Sequence, residues 1–362
     1  MARATHGLDE DHVNSAGSGK RKARLAWAAL VLIGLASGGV WYWHDAGQQT
    51  ARATRKDVLQ CALAPQAADA PHPGMVWVPG GTFAFGDTVY PEELPVRLAT
   101  VKGFWMDRTE VSNDAFTEFV KATAYVTVAE RPVDPALHPG LPPEMRLPGA
   151  VVFTMPNSLD GSGSLTQWWR YVPGASWRHP GGPDTSIAGR GAFPVVNVTI
   201  EDALAYSRWR ERSLPTELQW EWAARAGKDA PTEGAHDQPA AANTWQGLFP
   251  VANSGADGFI GLAPVGCYAA NTFGLFDLIG NAWELTADRW TASHGDTETA
   301  GHDPAAPLLR AGAPAQRVIK GGSFLCAPNY CMRYRAGARQ AQDDDLATSH
   351  LGFRTVLDAP GP

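Results

Sequence analysis

Four cysteines in 362 residues are too few to staple a fold of this size, so its stability has to come from a buried core. Charge is also sparse, at 19% of residues with a formal net charge of -7. No cluster of Lys and Arg occurs after residue 60, which excludes the electrostatic footprint of a nucleic-acid binder. No internal repeat, heptad or continuous EF-hand loop is present, and no paired histidines stand at helical metal-binding spacing. Only one long apolar run exists, from Leu25 to Trp43.

What is abundant is Trp (14), Gly (38) and Pro (28), the composition of a loop-rich α+β globule in which aromatic burial and turns replace long helices. Residues 1–24 are polar without apolar period and read as a disordered cytoplasmic tail. The run 25–43 is flanked by Trp27 at one end and Trp41-Tyr42-Trp43 at the other. At ~1.5 Å per residue it spans the hydrocarbon thickness of a bilayer as one transmembrane helix. Lys20, Arg21, Lys22 and Arg24 before it place the amino terminus in the cytoplasm and the rest outside, in an inner-membrane, single-pass arrangement. A cleaved signal peptide with Ala36-Ser37-Gly38 at the cut is the competing reading, and it exports the same domain. Residues 44–73 read as a linker and 74–362 as one folded domain.

Within that domain Met75 to Phe83 and Thr82 to Gly86 read as the two arms of a hairpin broken at Pro79-Gly80-Gly81, and Val96 to Met106 as a further strand. Ser112 caps a helix from Asn113 to Ala124. Residues 130–190, rich in Pro and Gly, read as an extended surface loop threaded by Trp168, Trp169 and Trp177, with His179 lacking a partner at metal spacing. Thr199 opens a helix to about Arg212, and Thr216-Glu217-Leu218-Gln219 is a capping box opening another, with Leu218, Trp222 and Arg225 on one face.

Chemistry concentrates in Gly321-Gly322-Ser323-Phe324-Leu325-Cys326 and the following Ala327-Pro328-Asn329-Tyr330-Cys331-Met332-Arg333-Tyr334-Arg335. Two glycines permit close backbone approach, and Pro328 with Asn329 bends the chain so that thiols five residues apart can meet. Their meeting is either a structural disulfide or a shared soft ion; softness selects Cu(I) over calcium or magnesium, and zinc wants four ligands where no third and fourth Cys or His stand at zinc-site spacing. The loops 243–246, 253–259 and 277–284 offer carboxylates and amides beside glycines, which are turns or sites for a hard cation such as calcium.

This cysteine string, with Leu351-Gly352-Phe353-Arg354 downstream, resembles the active-site stretch of the formylglycine-generating, sulfatase-modifying enzymes. The opening Val78-Pro79-Gly80-Gly81, Met106-Asp107 with Glu110 to Asn113, Trp177-Arg178-His179-Pro180 and Leu214-Pro215-Thr216-Glu217 extend the likeness over Met75 to Val356. The resemblance implies a loop-rich fold related to C-type lectin domains. It implies Cu(I) on Cys326 and Cys331, with Ser323 and Tyr330 as catalytic neighbours and Trp283, Arg339 and His350 toward substrate. It further implies two calcium sites, one of Asn243, Thr244, Asp257 and Phe259 and one of Asp277, Gly280, Ala282 and Glu284. The activity implied is oxidation by molecular oxygen of the cysteine in a Cys-x-Pro-x-Arg segment of an unfolded sulfatase, through a thioaldehyde that hydrolyses to formylglycine. Ala327 and His350 depart from the family string, which puts peptide contacts in question before copper binding. The positions of two disulfides in animal relatives are here Ser207 with Thr355 and Ala224 with Ala336, which leaves Cys61 and Cys267 free to pair in an oxidising compartment. Alternatives are a non-catalytic lectin-like module and an iron-dependent sulfoxide synthase, whose helical histidine motif is absent.

Overall fold

The computed structural model describes residues 61, 70–135, 138, 140–228, 237–294, 309–310, 313–358 and 360–361. The expected tail, membrane run and most of the linker lie outside them; among the described residues no helix is long and apolar enough to cross a membrane.

Regular structure is sparse and the strands are short. A three-stranded sheet has the order β1 (Met75–Val78), β4 (Phe104–Asp107), β13 (Val356–Leu357). The strand β2 (Gly81–Phe85) pairs with β3 (Arg97–Val101), and β5 (Gly149–Phe153) with β6 (Trp169–Pro173). The central sheet runs β11 (Gln340–Asp343), β10 (Gln316–Lys320), β7 (Trp283–Arg289), β12 (Leu351–Gly352), with a small pair β8 (Leu309–Arg310) and β9 (Ala313–Pro314) apart from it. The helices are α1 (Asn113–Thr123), α2 (Ile200–Trp209) and α3 (Glu217–Arg225).

Helix starts follow the sequence. Ser112 Oγ accepts from the Ala115 amide, and Thr216 and Gln219 bond reciprocally in the expected box. Four expectations fail, one being the single strand over Val96 to Met106, which divides at Lys102-Gly103 into β3 and β4 of different sheets. The strands on either side of Pro79-Gly80-Gly81 do not pair with each other: β1 pairs with β4 and β2 with β3, because the break turns the chain from one sheet into another. The second helix stops at Trp209, where Arg210 leaves the regular ladder and Glu211 takes a positive φ of 56°, so it does not reach Arg212. The 130–190 region is no surface loop: it contains the β5–β6 hairpin, and Trp168 and Trp177 are buried. Their burial is what orders a stretch that has little periodicity of its own.

One core cluster joins α1 and α2 to the central sheet through Phe116, Phe119, Tyr206, Trp283, Leu285, Ile319 and Phe353, and it takes in Cys326 and Cys331. A second packs α3 against the β2–β3 hairpin through Phe83, Trp220 and Trp222. In the central sheet Lys320 stands opposite Glu284. The turn leading into the cysteine stretch is thereby laid beside the end of the 277–282 loop.

Candidate active site

Beyond Lys320, Gly321 and Gly322 take positive φ angles of 93° and 74°. A Cβ on Gly321 would sit 2.8 Å from the Leu278 carbonyl oxygen, and one on Gly322 2.9 Å from that of Arg333. Only glycine fits, and the loop folds back on itself as a result. The Cys326 amide donates to the Ser323 carbonyl, and the Tyr330 and Cys331 amides both donate to Ala327, which returns the second cysteine to the first. Both are free thiols and buried, with Sγ atoms 2.6 Å apart. That separation exceeds the ~2.05 Å of a disulfide bond. Burial, with the hydrogen bond to Cys331 next, holds the Cys326 thiol well above its ordinary range; acceptance of that hydrogen bond lowers Cys331 against the opposing effect of burial, helped by Arg333. The pair thus shares one S–H···S contact in which either sulfur can donate. Two soft donors in an apolar pocket fit Cu(I), while among the described residues no group of three His, Cys, Asp or Glu is arranged to hold a metal.

The expected neighbours are partly assembled. Trp283 is packed in the same core cluster as the cysteines. Ser323 is fully buried, its Oγ accepting from the Leu325 amide. Tyr330 stands at the rim, 41% exposed, its ring stacked 4.0 Å from that of Phe249. The Asn329 side chain bonds both the amide and the carbonyl of Phe249 and so fixes this stack. His350 is reached through its carbonyl, which accepts from the Trp283 amide, while its ring lies 4.8 Å from that of Trp169. Burial pulls its pKa down to about 3, which keeps the ring neutral.

Arg339 contradicts the groove assignment. It is fully buried, forked onto Glu217, and donates to the carbonyls of Glu92 and Thr291. A guanidinium committed to three partners in the interior is a brace, not a substrate contact. The reading of α3 from its capping box and one apolar face did not include this network. Glu217 and Glu221 both receive Lys320, the residue just before Gly321, and Glu217 stays well below the usual carboxylate range because Lys320, His294 and Arg339 outweigh its burial. Arg335 makes buried pairs with Asp87 and Glu93, and Arg333 a partly exposed one with Glu92, so with Lys320 both ends of the cysteine loop are clamped by ion pairs. Acidic residues inside the α3 pattern, next to two tryptophans, were the available signal.

The oxygen-rich loops lie against the same stretch. The Trp245 amide donates to Cys326, the Phe324 amide to Asn281, and Gly280 to Gly321. In the first loop set the Thr244 and Phe259 amides converge on Asp257, while Asn243 is oriented by Nδ2 bonds to Gly261 and Asn281 and leaves a buried Oδ1 that no donor reaches. In the second, Asp277 Oδ1 is likewise buried and unmet, and burial pushes that carboxyl up to about 6. Such orphaned oxygens are what a hard cation would satisfy. Ala282, also in this set, is buried at the foot of β7. Glu284 differs: both its oxygens receive Arg354, and one also receives Trp220, so any cation there shares the carboxylate with a guanidinium. Glu110, absent from the sequence assignment, is buried beside Asp277 with an unmet Oε2.

Residues 60–359 match the family model for the sulfatase-modifying factor enzyme 1-like domain. The formylglycine-generating enzyme of Mycobacterium tuberculosis is 48% identical over 291 residues, covering 78% of this chain and 97% of that protein. A mouse relative, named an inactive Cα-formylglycine-generating enzyme 2, is 37% identical over 311 residues, covering 82% of this chain and 90% of its own length. Among solved structures, PvdO from Pseudomonas aeruginosa superposes with a TM-score of 0.54 at 23% identity over 82% of this chain and all of that one, a likeness of fold. Match and identity together cover most of the chain, and the protein belongs to the formylglycine-generating, sulfatase-modifying factor family.

Proposed function

We propose that the protein oxidises the cysteine of a Cys-x-Pro-x-Arg segment in an unfolded sulfatase polypeptide to formylglycine, using Cu(I) on Cys326 and Cys331 and molecular oxygen as acceptor. The observation that carries this reading is the buried, unbonded thiol pair 2.6 Å apart inside the full family string. Bound there, Cu(I) would supply a soft centre able to take a third thiolate and activate oxygen. The chain's own residues do the rest. The apolar surroundings of Trp283 and Tyr334 exclude water from the sulfurs. The Gly321-Gly322 turn and the charge clamps fix the sulfur positions, and the Tyr330–Phe249 stack forms the entrance. In the overall change the substrate side chain loses two protons and two electrons, which with molecular oxygen balance as hydrogen peroxide or, with two more protons and electrons from an external pair of thiols, as two waters; water then replaces the sulfur of the thioaldehyde, which leaves as hydrogen sulfide.

Calcium on the two oxygen-rich loop sets is part of the same proposal, as a clamp on segments that few regular elements hold. So is the location: a membrane-anchored domain outside the cytoplasm, a reading supported by the Cys61–Cys267 disulfide, a bond typical of oxidising compartments. The second reading is a non-catalytic module, which the inactive mouse relative keeps in play. Mass spectrometry of a Cys-x-Pro-x-Arg peptide incubated with Cu(I)-loaded protein under oxygen separates the two. The expected product is the aldehyde, absent with Cys326→Ser or Cys331→Ser; aldehyde formation surviving either change would reject the proposal.

A further inference from the structure

Residues 263–268 touch both candidate cation loops. The Ala263 amide donates to Asn281 Oδ1 at 2.9 Å, the Gly266 amide donates to Asp277 Oδ2, and Tyr268 Oη donates to the Asp257 carbonyl at 3.0 Å. Asn281 in turn receives Asn243 Nδ2, so this short segment is hydrogen-bonded to one carboxylate residue of each loop set and, through Asn281, to Asn243. It contains no regular secondary structure of its own. Two links tie it to distant parts of the chain: the Val265 amide donates to the Ala192 carbonyl, and Cys267 is bonded to Cys61 across 206 residues of sequence with Cα atoms 4.6 Å apart.

We propose that residues 263–268 form a redox-sensitive strap: with the Cys61–Cys267 bond intact they hold both cation loops in binding geometry, and its reduction weakens calcium binding. The inference rests on the calcium reading above, and it assigns a role to the one cysteine pair that the proposed chemistry does not use. A dithiol reductant supplies two electrons and two protons to the bond, yields the thiols of Cys61 and Cys267, and closes to its own disulfide. Cys326 and Cys331 are already thiols, so this treatment leaves them chemically unchanged. The direction of the effect follows from preorganisation: Gly266 and Tyr268 orient Asp277 and Asp257, and a tethered strap spares the cation the ordering of these groups.

The test uses the full chain in three forms: oxidised, reduced by a dithiol, and as the Cys61→Ser, Cys267→Ser double variant. Calcium itself is the probe, titrated by calorimetry and followed through its effect on the unfolding midpoint. The half-saturating calcium concentration should rise about tenfold in the reduced and double-variant forms. A merely structural crosslink lowers the midpoint equally with and without calcium and leaves the affinity alone. Equal calcium affinity in the three forms would overturn the strap. No calcium response in the oxidised chain would overturn the calcium reading and the strap with it, while the aldehyde assay still judges the copper site. Where reduction unfolds the chain, hydrogen exchange of the Gly266 amide in the oxidised protein decides: calcium should slow it severalfold, and unchanged exchange would reject the coupling.

Discussion

The sulfur pair and the oxygen loops sit side by side on the same irregular framework yet make opposite kinds of site. Cys326 and Cys331 are two soft donors in an apolar pocket, five residues apart in one loop, their approach fixed by backbone geometry at Gly321 and Gly322. The oxygen loops draw Asn243, Asp257 and Asp277 from separate segments and hold them by bonds between segments: Asn243 donates to the Gly261 carbonyl, Asp257 accepts from the Thr244 amide and Asp277 from that of Gly266. The first is a local construction; the second is an agreement among loops that no one loop specifies. A local site survives loss of a ligand as a fold, whereas an agreement of loops loses stability when one carboxylate goes.

That contrast can be broken most forcefully at Glu284. Replacing it by Ala leaves Arg354 buried without its forked partner and Trp220 without an acceptor, an expected loss of about 3–5 kcal/mol in urea unfolding. A loss near zero would mean that the buried charges next to the second loop set carry no structural load. By the same logic Cys326→Ser should unfold at nearly the parent's urea midpoint.

His350 gives the next effect, through pH. Its folded pKa of about 3 lies far below an unfolded value near 6.5, so the unfolded chain binds the extra proton between those limits. Stability on this account is complete above pH 6.5 and falls as pH drops toward 3, by about 2 kcal/mol at pH 5. His350→Asn should flatten this limb of the stability profile; an unchanged acid limb would show that the ring is not neutral in the folded protein.

Smallest is Asp257→Ala, which removes the acceptor for the Thr244 and Phe259 amides from a half-buried site. About 1–2 kcal/mol of stability should go, together with calcium's stabilising effect at that loop set. A calcium-induced rise in unfolding midpoint that is the same in variant and parent would contradict the role given to Asp257.

These differences also explain what could be read from the sequence. The cysteine loop was legible because its determinants are contiguous: two glycines, a bend and two thiols. The caps of α1 and α3 were legible for the same reason, since Ser112, Thr216 and Gln219 act within one turn. Pairings were not, because β1 finds β4 and β2 finds β3 across a break that a local reading takes for a hairpin turn. The buried clamps escaped too: whether Arg339 faces a groove or Glu217 depends on packing between segments 122 residues apart. Glu110 carries a carboxyl into the interior, where burial and then Asp277 push its pKa well above the usual carboxylate range, and only the fold reveals that neighbour.

The central claim is that the cysteine loop is a Cu(I) site that performs oxidation, not a crosslink in waiting. Its most direct test is titration of Cu(I), against a competing chelator, into the reduced parent and into Cys326→Ser and Cys331→Ser, with X-ray absorption reporting the donor atoms. One tightly held ion per parent chain with sulfur ligation, lost in both variants while each remains folded, is the predicted result. A reduced parent that takes up no Cu(I), or a variant that binds it as tightly as the parent, would contradict the account.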